Sequence, residues 1–429
     1  MADDKDDCGD EFVGYNEWAV GSLGVTLFTD FVYDYEDGER GVFVAEDIAP
    51  QTRVLSEDDA LALALLYERF VVGDASSWRP HLELLPKSYD NLLYFTTNET
   101  QRLRGSNVFL LAQQMHRKVQ QDYERLRAST VPELIDIALE FHPGLTRESM
   151  ETSFSIDQYK WALSTIWSRF VSLRLHDESD DAEAFPVLKA MAPVFDMLNH
   201  DPDAEVSHGY NSETHALEVV THQHVAAGTQ LCIHYGAVSN QKLLTLYGFV
   251  IPGNQFDTME LWLPMDKNTT SLYEAKAQAL HDLGIDHEMT AFELTAMDDE
   301  DDVDPAMLLA ARVAQLECQD EAELKRCVEQ LKFGEMVSKA NEARALRMLV
   351  DTLEAMLAQY EESEVRDEEE EEGVQDDHTR HVRHLEMIAV VCESDRLILE
   401  STIDALKKLL AKVLPKTTGQ EEACPVTTR

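Results

Sequence analysis

Basic residues are scarce in this sequence: 36 Lys and Arg stand against 82 Asp and Glu over 429 residues, a formal net charge of −46. Phosphate contacts rest on Lys and Arg, so the imbalance argues against unaided binding to nucleic acid or to an anionic membrane surface. It favours basic partners and the steering of cations. Cysteine is also thin. The six thiols, Cys8, Cys232, Cys318, Cys327, Cys392 and Cys424, form no C-x-x-C pair. That spacing fits reduced thiols in a cytoplasmic or nuclear protein and offers no cysteine-rich zinc site. No apolar run approaches the roughly 18 residues of a membrane span, and the opening MADDKDDCGD lacks the apolar stretch of a secretory signal. There is no G-x-S-x-G, Walker or G-x-G-x-x-G sequence, which leaves a serine-nucleophile hydrolase, a P-loop site and an ordinary dinucleotide fold unsupported. What is present is 44% hydrophobic residues, enough to bury a core despite the charge.

The acids are unevenly spread. Residues 361–377 (EESEVRDEEEEEGVQDD) hold eleven acids and one Arg, and DDEDDVD from Asp298 to Asp304 holds six. Like charges at that density repel compact packing, so both runs read as solvated loops. Residues 1–11 read as an acidic tail. From 12 to about 60 the texture is short β-like runs, including RGVFVAEDIAPQTRVL with a turn expected at Ala49–Pro50. Residues 96 to about 180 look helical: SFSIDQYKWALSTIWSRFVSL places Tyr159, Leu163, Ile166, Phe170 and Leu173 at helical spacing. Residues 185–263 return to strands, with ALEVVTH and TQLCIHYG meeting at an Ala227–Gly228 turn. After about 268 the pattern is helical to the end. One stripe is Leu346, Leu349, Leu353, Met356 and Tyr360; another is Leu399, Ile403, Leu406, Leu410 and Val413. Such stripes are core positions of a helix bundle.

Three clusters carry chemistry. In PVFDMLNHDP, Asp196, Asn199 and His200 sit inside an apolar, proline-flanked segment, where polar groups need partners or a ligand. In IHYGAVSNQKLLTLYGF, Tyr235 and Tyr247 each precede a glycine, and Tyr210 adds a third phenol. Lone tyrosines are commonly half-buried packing residues, whereas three together form a cage for an amine. His208, His215, His222 and His224 raise a metal site, with His222 and His224 on one strand face, but no H-E-x-x-H or cysteine pair accompanies them and no metal is expected.

RGVFVAEDI, HLELLPKSYDNLLYF, WALSTIWSRF, DMLNH and HYGAVSNQKLLTLYGF, in this order, resemble the SET-domain protein methyltransferases. The closer resemblance is to the branch of the Rubisco large-subunit lysine methyltransferase. DPAMLLAARV, NEARALRMLVDTLEAMLAQYEES and CESDRLILESTIDALKKLL resemble that branch's helical substrate-binding domain. The resemblance implies an α+β fold. A β-rich, knotted SET domain over 12–263, with a helical insertion at about 96–180, is followed by an all-α domain over 268–429 that carries the acidic loop 361–377. It implies an S-adenosylmethionine site built from Glu39, Gly41, Arg169, Asp196, Asn199, His200, Tyr235 and Phe249. Tyr235 takes the catalytic position nearest the transferred methyl, and Tyr210 and Tyr247 flank the target side chain. Two positions depart from the branch: Val42-Phe43 stand where a second glycine is usual after Gly41, and Val238 stands where Lys or Arg is common.

The activity so implied is methylation of a protein lysine, with a protein histidine or an inactive module that binds basic proteins as alternatives. A free Lys has a pKa of about 10.4, so the site must favour the neutral amine, which an apolar, phenol-lined channel does by disfavouring the ammonium. A protein substrate with a basic segment, no nucleic acid and no membrane are the expected partners, in the cytoplasm and also the nucleus.

Overall fold

The computed structural model describes residues 29–33, 40–44, 55–174, 187–211, 214, 216–364 and 375–414. The chain divides into two units. The first comprises Met1–Tyr89 and Met115–Gly236, the second Asp90–Gln114 and Ala237–Arg429. The sequence boundary expected at 263–268 therefore falls inside the second unit.

In the first unit, the helix Glu57–Tyr67 begins at Ser56, whose hydroxyl accepts the Asp59 N–H at 3.1 Å. Three acids fill its first turn, where the helix dipole favours them. It packs against the helix Ile156–Arg169. Leu63 and Leu66 of the first helix and Leu163 and Ile166 of the second are buried, each contributing about 1.5–3 kcal/mol by leaving water. Asp59 is buried with them. Tyr159 donates to its Oδ1 at 2.5 Å and Arg125 to its Oδ2 at 2.7 Å. Burial alone would raise the Asp59 pKa, but these donors outweigh it and hold the carboxyl below its usual range.

Among the described residues there are five two-stranded ribbons, four of them in this unit. Strands β1 (Thr29–Tyr33) and β2 (Arg40–Val44) pair antiparallel, as do β3 (Phe170–Arg174) with β4 (Val187–Met191) and β6 (Val206–Asn211) with β7 (Ala216–Thr221). The two-residue strands β5 (Asn199–His200) and β8 (Cys232–Ile233) pair parallel. Gly228, at φ +88°, makes the expected turn between β7 and β8, where the Thr229 N–H reaches Ala226 O. The Ala49–Pro50 turn lies outside the described residues. The helix expected to run through Phe170 and Leu173 instead ends at Arg169. Phe170 turns extended (φ −70°, ψ 148°) and starts β3, because pairing with β4 offers its backbone a ladder that the helical spacing of the side chains does not reveal.

The second unit is not all-α. β9 (Met259–Trp262) and β10 (Ala291–Leu294) form an antiparallel ribbon whose inward residues Met259, Leu261, Phe292 and Leu294 are buried. The period is two, and AFEL is too short to stand out among helical stretches. Both expected stripes hold: Leu346, Leu349, Leu353 and Tyr360 of the helix Lys339–Glu364, and Leu399, Ile403 and Leu406 of the helix Gln375–Val413, belong to one core. The run Asp298–Asp304 is mostly exposed but ordered. Asp299 caps a single 3-10 turn, Glu300–Asp302, and accepts the Asp301 N–H at 2.8 Å. Of the densest run, 365–374 lies outside the described residues.

A buried ionic cluster also holds this unit. His384, 1% exposed, stacks on Phe95 with ring centroids 4.3 Å apart. Its Nδ1 lies 3.1 Å from Glu99 Oε2 and its Nε2 3.6 Å from Asp90 Oδ1. Arg380 and Arg383 also donate to Asp90, and His381 meets Glu99 at 2.7 Å. His384 holds Asp90 down to about 2; Glu99, which burial would raise, is brought to about 2 by His384 and its other partners. Burial pushes the His384 pKa down, but the two carboxylates push it up by more. The carboxylate contributions to stability are thus present above the ordinary values of 3.8 and 4.5 and are lost as pH falls towards 2. The His384 contribution is complete below 6.5 and is lost as pH rises through its raised value. The cluster therefore stabilises most between about pH 5 and 6.5. Thermal melting from pH 6 to 9 is expected to show the wild type losing more melting temperature than His384→Gln, because only the wild type loses the protonated imidazole over that range. Parallel curves would refute that assignment.

Candidate active site

The segment Ala192–His200 is built around one tight turn. The Asp196 N–H donates to Ala192 O at 3.0 Å, and Phe195–Met197 form a single 3-10 turn. Val194 sits at φ +74°, in the left-handed region that costs a β-branched residue most. Leu198 is extended and leads into β5, placing Asn199 opposite Cys232 and His200 opposite Ile233.

That parallel register brings Tyr235, two residues past β8, onto the same segment. The Tyr235 N–H donates to His200 Nδ1 at 3.1 Å, and its hydroxyl donates to Leu198 O at 2.7 Å. The two rings stack with centroids 5.0 Å apart and planes at 28°. Burial lowers the His200 pKa and keeps the ring neutral. Because Nδ1 accepts, the remaining proton is on Nε2. His234 meets His200 edge-on at 5.5 Å, and its Nδ1 accepts the Gly236 N–H at 2.9 Å. Gly236 has φ +107°, a turn away from Tyr235 that a side chain would oppose.

Behind the turn lies a group of three ionisable side chains. Arg169 Nη1 donates to the Asp196 backbone carbonyl at 2.8 Å and stands 4.0 Å from its carboxylate. His81 Nε2 lies 3.0 Å from Asp196 Oδ2. The contact is not aligned as a hydrogen bond, and both carboxylate oxygens, His81 Nε2 and Arg169 Nε are buried without a hydrogen-bond partner among the described residues. Burial pushes the Asp196 pKa up, and the charges of His81 and Arg169 moderate the rise. His81 opens HLELLPKSYDNLLYF, but no motif or spacing in the sequence assigns it a role. Its only signal there is a polar residue in an otherwise apolar-spaced segment.

Arg169, Asp196, Asn199, His200 and Tyr235 thus come together within the first unit. Tyr210 is half-buried on β6, opposite Leu217, and β6 lies beside β8. Gly41 lies on β2 opposite Val32, while Glu39 is outside the described residues. Tyr247 and Phe249 belong to the second unit, where their rings meet edge-on at 6.1 Å and burial raises the Tyr247 pKa. There Val238 is buried, and its carbonyl accepts from Asn254 Nδ2 at 2.9 Å. Asn240 of the YGAVSN motif is a structural clamp: its amide donates to Ile251 O and Asp257 Oδ2 and accepts the Ile251 N–H. His222 and His224 do not share a strand face. β7 ends at Thr221 because the chain turns there, leaving both exposed, with His222 Nε2 2.8 Å from Ser207 Oγ. His215 lies outside the described residues.

Solved structures match this fold across nearly the whole chain. The SET domain of LSMT bound to lysine and AdoHcy aligns with a TM-score of 0.60 at 18% identity, covering 95% of this chain and 93% of the other. Rubisco LSMT bound to AdoMet aligns with a TM-score of 0.59 at 17% identity, covering 94% and 92%. The chain has the SET-domain fold of Rubisco LSMT. Residues 267–399 match the family model described as Rubisco LSMT substrate-binding, so the resemblance read from the motifs holds, and the mixed, helix-rich architecture with it.

Among sequence relatives of this SET-fold chain, the actin-histidine N-methyltransferase of Drosophila melanogaster is 29% identical over 320 residues, 72% of this chain and 58% of that protein. That of Gallus gallus is 30% identical over 277 residues, 64% and 42%. The human one is 29% identical over 237 residues, 55% and 37%. The chain thus spans about half the length of the curated relatives it matches.

Proposed function

We propose that this chain is an S-adenosylmethionine-dependent protein methyltransferase and that its target is a histidine side chain. The observation that carries the methyl-transfer reading is the two-point anchoring of Tyr235 by the Leu198–His200 segment. The choice of histidine over the expected lysine is supported by relatives that carry that activity in their names.

The residues present suit the cofactor. Asn199 is exposed on β5, Gly236 leaves the backbone bare beside Tyr235, and Arg169 Nε is a buried donor with no acceptor among the described residues. Arg169, Asn199 and His200 would hold it, and when bound it supplies a methyl group on a sulfonium. The rest is positioning. Tyr235 donates its hydroxyl proton to Leu198 O, so toward the target the phenol oxygen acts as the acceptor of an N–H. An imidazole has a pKa of about 6.5 and is largely neutral at pH 7. With its N–H on Tyr235, its other nitrogen presents a lone pair without prior deprotonation. A lysine would first have to lose a proton held at about 10.4. The parallel pair β5–β8 is the element around which a knotted site would close. The acidic surface supports a protein substrate that offers a basic segment, actin being the first to try.

Asn199→Ala and His200→Ala are each expected to weaken S-adenosylmethionine binding at least tenfold by calorimetry; unchanged binding in both would reject the cofactor assignment. Labelled cofactor incubated with actin and with a cell lysate is expected to mark histidine, read by mass spectrometry. Label on lysine would restore the lysine reading.

A further inference from the structure

The ionisable group behind the DMLNH turn contains a residue that the methyl-transfer reading leaves unused. We propose that His81 is a positioning residue for the methyl-transfer site, acting through Asp196 and Arg169 on the turn that presents Leu198, Asn199 and His200. The kinetic part of this inference rests on the function proposed above; the structural part does not.

His81 and Asp196 are 8% and 9% exposed, and the Asp196 side chain is wholly enclosed. A carboxylate in that position is costly unless opposed by charge or donors. Among the described residues two side chains oppose it: His81 at 3.0 Å and Arg169 at 4.0 Å. Arg169 spends Nη1 on the Asp196 backbone carbonyl, so His81 is the nearer partner of the carboxylate itself. The imidazole is placed by the short helix Arg79–Leu82 and by the Trp78 ring, edge-on with centroids 5.9 Å apart.

The turn needs such a hold. Val194, at φ +74° and 82% exposed, carries backbone strain of about 1–3 kcal/mol, which persists only where the surroundings over-determine the conformation. Asp196 follows two residues later, and Leu198 two after that. The Leu198 carbonyl takes the Tyr235 hydroxyl, and the next residues carry the ring that takes the Tyr235 N–H. A shift of Asp196 therefore moves both anchors of Tyr235 at once. Misplacement by about 1 Å is enough to cost on the order of a hundredfold in rate.

His81→Phe keeps a ring and removes Nε2, while His81→Gln keeps a side-chain N–H of similar reach. In the full chain, hydrogen exchange of residues 194–200 is expected to quicken in His81→Phe, while residues 346–353 in the second unit's core stay as in wild type. Single-turnover methyl transfer at saturating cofactor should fall about 10- to 100-fold, with the KM for the protein substrate within about twofold. His81→Gln should restore both readouts to within about threefold. His81→Phe that melts cooperatively, with wild-type exchange at 194–200 and wild-type turnover, overturns the proposal. If that variant does not fold, His81→Asn, too short to reach the carboxylate, is set against His81→Gln in the same measurements, and equal behaviour of the two overturns it. Wild-type protein that takes up no cofactor would reject the proposed function, and the exchange difference would still decide the role of His81.

Discussion

Tyr235→Phe is expected to lower methyl transfer about a hundredfold or more at saturating S-adenosylmethionine, with cofactor affinity within about twofold of wild type. The substitution is selective. The ring stacked on His200 remains, and so does the backbone N–H bond to His200 Nδ1. What goes is the oxygen that would accept the target N–H, together with the hydroxyl donated to Leu198 O. Losing that hydrogen bond costs about 1 kcal/mol of stability, a small melting shift that leaves the variant folded. Single-turnover assays with labelled cofactor separate the chemical step from binding. Wild-type turnover would move the key role to another residue.

Gly248→Ala is expected to destabilise the protein by about 3 kcal/mol or more. Gly248 closes the Leu243–Tyr247 turn at φ +77°. A Cβ there would stand 2.8 Å from the Asn91 backbone nitrogen and 2.9 Å from the Asp90 carbonyl carbon. Both are main-chain atoms, and Asn91 is fully buried, its Oδ1 accepting the Leu93 N–H at 3.2 Å. The third nearest atom, the Asp90 nitrogen at 3.3 Å, is main chain as well, so none of the three can swing aside as a side chain would. Gly253 supplies the control: it has φ +66° but open space where a methyl would stand, so Gly253→Ala should lose only the conformational term of about 1 kcal/mol. Urea unfolding at constant m-value compares the two. Equal midpoints would show that the contact with Asp90 and Asn91 yields without cost.

The site was legible where its chemistry is local. Asp196, Asn199 and His200 fall within five residues, and an apolar, proline-flanked segment makes polar groups conspicuous. Tyr235-Gly236 was legible because a phenol followed by glycine at a strand end marks a turn. The helical stripes through Leu346 and Leu399 were legible because spacing alone puts their residues on one face. Phe170 was misread because FVSL continues a helical spacing that only its pairing with β4 overrides. Phe292 was missed because four residues are too few to establish a period of two.

His81 and His384 were missed for another reason. A lone histidine carries no pattern, and its meaning lies in carboxylates distant along the chain: Asp196, 115 residues on, for the one, and Asp90 and Glu99, nearly 300 residues back, for the other. By itself the sequence determined the amphipathic helices, the SET-type motifs and the acidic charge, since these depend on neighbours within a few residues. The tertiary structure alone decided where the strands pair, which histidines are buried against carboxylates, and that Leu198 and His200 hold Tyr235 at both ends. Those outcomes depend on burial and on partners brought together by folding, and neither is written in local spacing.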